Sequence, residues 1–231
     1  MTGSNTWENA LNGYAYAVDL MDFADASAYP GWFERRIYPG NRRQTMDFEA
    51  RFRARAPRHL EAWAEVVFWK NYSMAHVRNR ITRRVLDLHV RPEDLWSSCE
   101  DYVSTPNLTT FRVFREMLFQ TRVVATAATF PAFMRPDKFP MIDKRITEWA
   151  LKNGCLHSYA ALGGPELRGV PDLEGDVLRE SHWPFIESWI EWCQCTSSKL
   201  YALADGAWRA RDVEMAVFTA QGRGQPLTPL D

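Results

Sequence analysis

A chain of 231 residues, 46% hydrophobic and 25% charged, has the size and apolar content for one large domain or two closely packed lobes, which excludes global disorder. No uncharged apolar run reaches the roughly 18 residues a membrane helix needs, and no charged-then-apolar leader opens the chain, so a soluble, cytoplasmic protein is expected. A net charge of −1 argues against a general nucleic-acid coat, but the charge is unevenly spread.

Residues 1–30 are polar and aromatic with weak periodicity, which predicts an irregular arm or a short helix. Pro30-Gly31 and Pro39-Gly40 are turn signals around an arginine and aromatic segment. The boundary is expected near residue 56: an arginine- and aromatic-rich arm over 1–56 packs on a helical domain over 57–231. Leu60, Trp63, Ala64, Val67 and Phe68 recur at three- and four-residue steps, the apolar face of a helix, and Val77, Ile81, Val85 and Leu88 mark the next one. Arg91-Pro92-Glu93-Asp94 opens a further helix, with proline and acids in its first turn. Thr105-Pro106-Asn107 breaks the chain before a helix carrying Leu108, Phe111, Phe114 and Leu118. The run 123–133 is rich in small residues (Ala125, Ala127, Ala128) that allow close helix packing. A loop at 136–140 precedes a helix over 142–151. Residues 163–175 read as a surface loop, 184–204 as a long amphipathic helix, 211–218 as a last helix, and the tail from Gln221 as frayed. No period-two pattern persists, so the fold class is all-α.

Between residues 34 and 58 stand eight arginines (Arg35, Arg36, Arg42, Arg43, Arg51, Arg53, Arg55, Arg58) against three acids (Glu34, Asp47, Glu49). Arg78, Arg80, Arg83, Arg84 and Arg91 form a second cluster. Guanidinium forks match phosphate geometry, so a polyanion partner accounts for both clusters; so does a solvated face balanced by acids elsewhere. The four cysteines, Cys99, Cys155, Cys193 and Cys195, lack metal-ligand spacing, and reduced thiols are expected. Of the ten tryptophans, Trp63 and Trp189 fit apolar helix faces, whereas Trp32, Trp69, Trp96 and Trp183 fall near helix ends or loops and are pocket candidates. His182, beside Trp183, fits either a pocket wall or an exposed loop. Arg209 to Met215 fits a structural helix closing the domain by ion pairs.

The most informative stretch runs from Leu118 to Trp149 and contains Pro140-Met141-Ile142-Asp143-Lys144-Arg145-Ile146. Helix, small-residue helix, proline loop, then an apolar-Asp step into a helix resembles the central signature of the helix-hairpin-helix DNA glycosylases, the HhH-GPD superfamily, in its 8-oxoguanine-glycosylase-like form. The resemblance covers about residues 57–152. It implies a two-lobed helical bundle with a cleft between the lobes and Asp143 as the catalytic carboxylate. A carboxylate there stabilises the cationic sugar formed as the base departs, and orients the attacking water. As an isolated residue, Asp143 also fits a plain helix N-cap.

The pattern departs from the family at two places. The family's Leu-Pro-Gly-Val-Gly hairpin corresponds here to Leu118-Phe119-Gln120-Thr121-Arg122, without the glycines that let backbone amides reach a phosphate, so Thr121 or Arg122 is expected to hold it instead. The lysine that makes some members bifunctional falls at Val123, which implies a monofunctional, hydrolytic enzyme that leaves an abasic site. Lys144, Arg145 and Arg78 are further expected DNA contacts. In Phe68-Trp69-Lys70-Asn71-Tyr72-Ser73, Asn71 matches the family's wedge into the vacated base stack or caps its helix, and Trp69, Tyr72, Trp183 and His182 would line the base pocket. The implied partner is double-stranded DNA carrying a modified base, bound by a monomer without metal or cofactor, nucleoid-associated when acting. Oxidised purine and the glucosylated hydroxymethylcytosine of phage DNA are the expected substrates, the second implying phage defence. A non-catalytic reader of modified DNA and an RNA or nucleotide N-glycosidase on the same fold are the competing expectations.

Overall fold

The computed structural model describes residues 3–20, 23, 39–119, 123–153, 180–203 and 207–227. Among these there is no strand, and the fold is all-α. Helix α1 spans Gly3–Asn12, α2 Arg42–Arg55, α3 Leu60–Lys70, α4 Ala75–Leu86, α5 Pro92–Ser104 and α6 Leu108–Phe119. Two short helices follow, α7 Val124–Ala127 and α8 Thr129–Met134. Then come α9 Lys144–Lys152, a 3-10 turn Glu180–His182, α10 Trp183–Leu203 and α11 Ala210–Arg223.

Within the stretch 1–56 expected to pack on the core as an arm, α1 and α2 both bury side chains in the core. Helix α2 opens on a capping box in which the Asn41 side chain accepts from the Gln44 amide, and it buries Phe48 and Phe52. Phe52 packs edge-on to Trp63 and Phe133, with ring centroids 5.3 and 5.8 Å away. Helix α1 lies against α11, and its Trp7 meets Trp192 of α10. The arginines of α2 largely turn inward. Arg55 holds Glu65 at 2.8 Å, Arg51 approaches the same carboxylate, Arg53 donates to the Phe133 carbonyl, and Arg42 pairs with Asp212. Arg43 and Arg58 remain exposed; Arg35 and Arg36 lie outside the described residues.

The small-residue run divides into α7 and α8 at Ala128. Pro131 has no amide to continue one helix across the break, but as the third residue of α8 it needs none. The whole run 124–134 is buried. Helix α8 packs on α2, α3, α5 and α7, so it organises one set of helices; α11 packs on α1, α9 and α10 and organises a second.

A buried charge cluster joins the two sets. Glu49 of α2 accepts from Arg209 at 2.6 Å and faces Arg211; Arg209 and Arg42 both bind Asp212; Arg211 pairs with Glu214. Burial pushes the Glu49 carboxyl up despite Arg209 and Arg211, whereas Asp212 is held low because its bonds to Arg209 and Arg42 outweigh burial. The ion-pair role expected of residues 209–215 is present, and the last helix runs on to Arg223, past the expected fraying at Gln221. No helix among the described residues is long and apolar enough to cross a membrane.

Candidate functional site

Asp143 stands immediately before α9. Its Oδ1 accepts the Ile146 amide at 3.0 Å and its carbonyl accepts the Thr147 amide and hydroxyl, which is N-cap geometry. The preceding loop is pinned from both sides. The Ala210 and Arg211 amides of α11 donate to the Asp137 and Pro136 carbonyls, and Trp189 Nε1 of α10 donates to the Met141 carbonyl at 3.0 Å. Met141 and Ile142 are buried, so the chain enters Asp143 packed against the core.

The second carboxylate oxygen faces the other set of helices. Lys70 Nζ, in the last turn of α3, lies 3.2 Å from Asp143 Oδ2. Both side chains are mostly covered, 12% and 13% exposed. Burial pushes the Asp143 carboxyl upward, but the Lys70 charge, the Ile146 amide and Arg145 together hold it below the ordinary carboxylate value. Asp143 is therefore an anion at neutral pH. Tyr16 closes the same corner by donating to the Lys70 carbonyl at 3.1 Å. Burial and the neighbouring Asp143 charge push its phenol up to about 12, so it stays neutral.

Asp143 lines a cavity of about 890 Å³ at the meeting of the two helix sets. Its walls include Trp69 and Lys70 of α3 with Asn71 just after it, Val77 and Arg80 of α4, Thr126 of α7, and Glu214 and Phe218 of α11. Lys144 and Arg145 stand on the same wall as Asp143, with the Arg145 guanidinium over the Phe218 ring. Val123 also lines the cavity and has φ 70°, a left-handed conformation disfavoured for a β-branched residue. Thus the chain makes, without glycine, a backbone turn for which glycine is the ordinary residue.

The expected site residues divide sharply. Asp143, Lys144, Arg145, Trp69 and Asn71 meet at the cavity. Asn71, however, is 3% exposed and ends α3; its Nδ2 donates to the Val67 carbonyl and to Thr126 Oγ1, so in this structure it is a cap and not a projecting wedge. Arg78 is turned onto the Phe68 and Tyr72 rings and donates to the Tyr72 carbonyl, so it and Tyr72 consolidate the α3–α4 turn and do not line the cavity. Trp183 packs with Tyr102 and Phe111 at the start of α10, and neither it nor His182 lines the cavity; their aromatic neighbours on α5 and α6 draw that turn elsewhere. Trp96 packs on Phe52. Thr121, Arg122, Trp32 and Cys155 lie outside the described residues.

Lys70 and Tyr16 are cavity residues for which no role was expected from sequence, and Arg80 was expected only as one of a cluster facing a polyanion or solvent. Lys70 carries the weakest signal, because a lysine in the last turn of a helix is ordinary there. No cluster of His, Cys, Asp and Glu suited to a metal ion is present among the described residues, and Cys99 and Cys193 are buried while Cys195 is exposed. No protein-family model, curated protein or solved structure matches the chain.

Proposed function

We propose that the protein is a monofunctional DNA N-glycosylase of the helix-hairpin-helix kind, hydrolysing the bond between deoxyribose and a modified base. The observation that carries this reading is the ionised Asp143, hydrogen-bonded through both oxygens, on the wall of a cavity bordered by Lys70, Arg80, Lys144 and Arg145. The separate packing of α2–α8 and of α1 with α9–α11, with the cavity where they meet, supports a two-lobed bundle with an interlobe cleft.

In the reaction, a nucleotide turned out of the duplex enters the cavity, since the bond to be cut is inaccessible inside the stack. As the base departs, positive charge grows on the anomeric carbon, and the Asp143 anion stabilises it. Water adds to that carbon; its proton ends on the departing base nitrogen or in solvent; the products are the free base and an abasic sugar. Lys70 acts through Asp143, keeping it charged. Lys144 and Arg145 are placed for flanking phosphates. A cavity of this volume has room for a substituted base, so glucosylated hydroxymethylcytosine in phage DNA stands beside oxidised purine as substrate, with defence as the role in the first case.

The test is base release from duplexes carrying each modified base, comparing wild type with Asp143→Asn. Release by the wild type that disappears in the variant supports the proposal; equal release removes Asp143 from the mechanism. Engagement of both Asp143 oxygens, by Lys70 and by the Ile146 amide, favours a second reading, a non-catalytic reader of modified DNA. Selective binding without release of any base would establish it.

A further inference from the structure

We propose that Arg80, Arg83 and Arg84 form a track for consecutive backbone phosphates of a DNA strand, leading along α4 into the Asp143 cavity. A second concavity of about 740 Å³ lies on α4 and the turn after it, and these three arginines, with His89, line it. Arg80 lines both concavities, so they adjoin at that residue. All three arginines are exposed.

Helix geometry places them together. Positions 83 and 84 each lie about one turn beyond position 80, and the step from 80 to 84 advances roughly 6 Å along the axis. One acid, Asp87, shares the concavity, so positive charge prevails. Elsewhere in the same cluster, Arg78 is stacked on Phe68 and Tyr72, and Arg91 is bound through two nitrogens to Asp94. The arginines of α2 are mostly consumed by Glu65, Asp212 and the Phe133 carbonyl. A guanidinium row in a groove matches a chain of phosphates, each able to take two hydrogen bonds from one fork.

The proposal takes its polyanion from the glycosylase reading but requires no base release. Its test is the salt dependence of the full chain's affinity for a short unmodified duplex. Each phosphate contact contributes about 0.9 to the slope of log affinity against log salt. Replacing Arg83 and Arg84 together by Gln should flatten the slope by about 1.8, and Arg80→Gln alone by about 0.9. Arg43→Gln with Arg58→Gln, exposed arginines outside both concavities, should keep the wild-type slope. Far-ultraviolet circular dichroism establishes that each variant is folded. An unchanged slope in the Arg83/Arg84 variant, an equal flattening in the Arg43/Arg58 variant, or no duplex binding by the wild type would overturn the track. A flattened slope together with no released base from any substrate keeps the track and rejects the glycosylase.

Discussion

Lys70 and Asp143 are 73 residues apart in sequence and 3.2 Å apart in space, and they tie the end of α3 to the start of α9. One oxygen of Asp143 serves its own helix and the other serves Lys70. The pair thereby links the two sets of helices at the wall of their shared cavity.

Asp143→Asn separates the cap from the charge. Asn caps helices about as well as Asp, so the helix start should survive, but Lys70 is left without its anion and the variant should unfold at a lower temperature than wild type. Base release should fall by roughly 10²–10⁴-fold, the span ordinarily lost with a positioned acid–base group. Calorimetry and single-turnover base release measure the two effects independently.

The Lys70 charge also sets a pH dependence. Asp143 titrates below its ordinary value of 3.8, so its stabilising contribution is complete above that pH and disappears as pH falls through the lowered value. In Lys70→Met the opposing burial is less compensated, and the carboxyl should titrate at higher pH. Carboxyl chemical shifts of labelled aspartate followed through acid pH should show this rise; an unmoved midpoint would mean that Lys70 does not control the group.

Arg209 faces both Glu49 and Asp212 and is 15% exposed. Arg209→Ala leaves the fully buried Glu49 without its closest cation and weakens the hold on Asp212. A loss of roughly 3–5 kcal/mol is expected in urea unfolding, typical of breaking one side of a buried ion pair.

Val123→Asn should raise stability by roughly 0.5–1 kcal/mol, because asparagine enters the left-handed region at lower cost than a β-branched side chain. Chemical denaturation of the two proteins gives the difference directly, and a loss instead would show that the valine's packing outweighs its backbone conformation.

Thiol reactivity offers a check on the fold itself. Cys99 and Cys193 are buried, and burial pushes the Cys99 thiol well above its usual range. An aromatic disulfide reagent should leave both unmodified in the native protein and reach them after denaturation, while Cys195 reacts at once.

Much of the fold is legible in sequence where apolar residues recur alone. Trp63, Val67 and Phe68 mark α3, and Pro92 with Glu93 and Asp94 marks the start of α5. Helix α2 is hidden because its arginines dominate its composition, and their partners, Glu65 and Asp212, lie in other helices. Asp143 stands out through its proline loop and apolar flank. Lys70 does not, since only the folded chain brings it to its anion. Trp183 and Tyr72 resemble pocket residues in sequence because an aromatic near a helix end has the same local signature whether it meets a ligand or a neighbouring ring.

The central cluster also imposes an order on biosynthesis. Glu49 emerges from the ribosome 160 residues before Arg209, and Arg42 precedes Asp212 by 170. Until the closing helix is made, a nascent chain that collapsed around α2 would enclose a carboxylate with its nearest counter-ion still untranslated. Although most of its helices pair with near neighbours, which favours rapid folding, the final consolidation of this protein must wait for translation of its last helix.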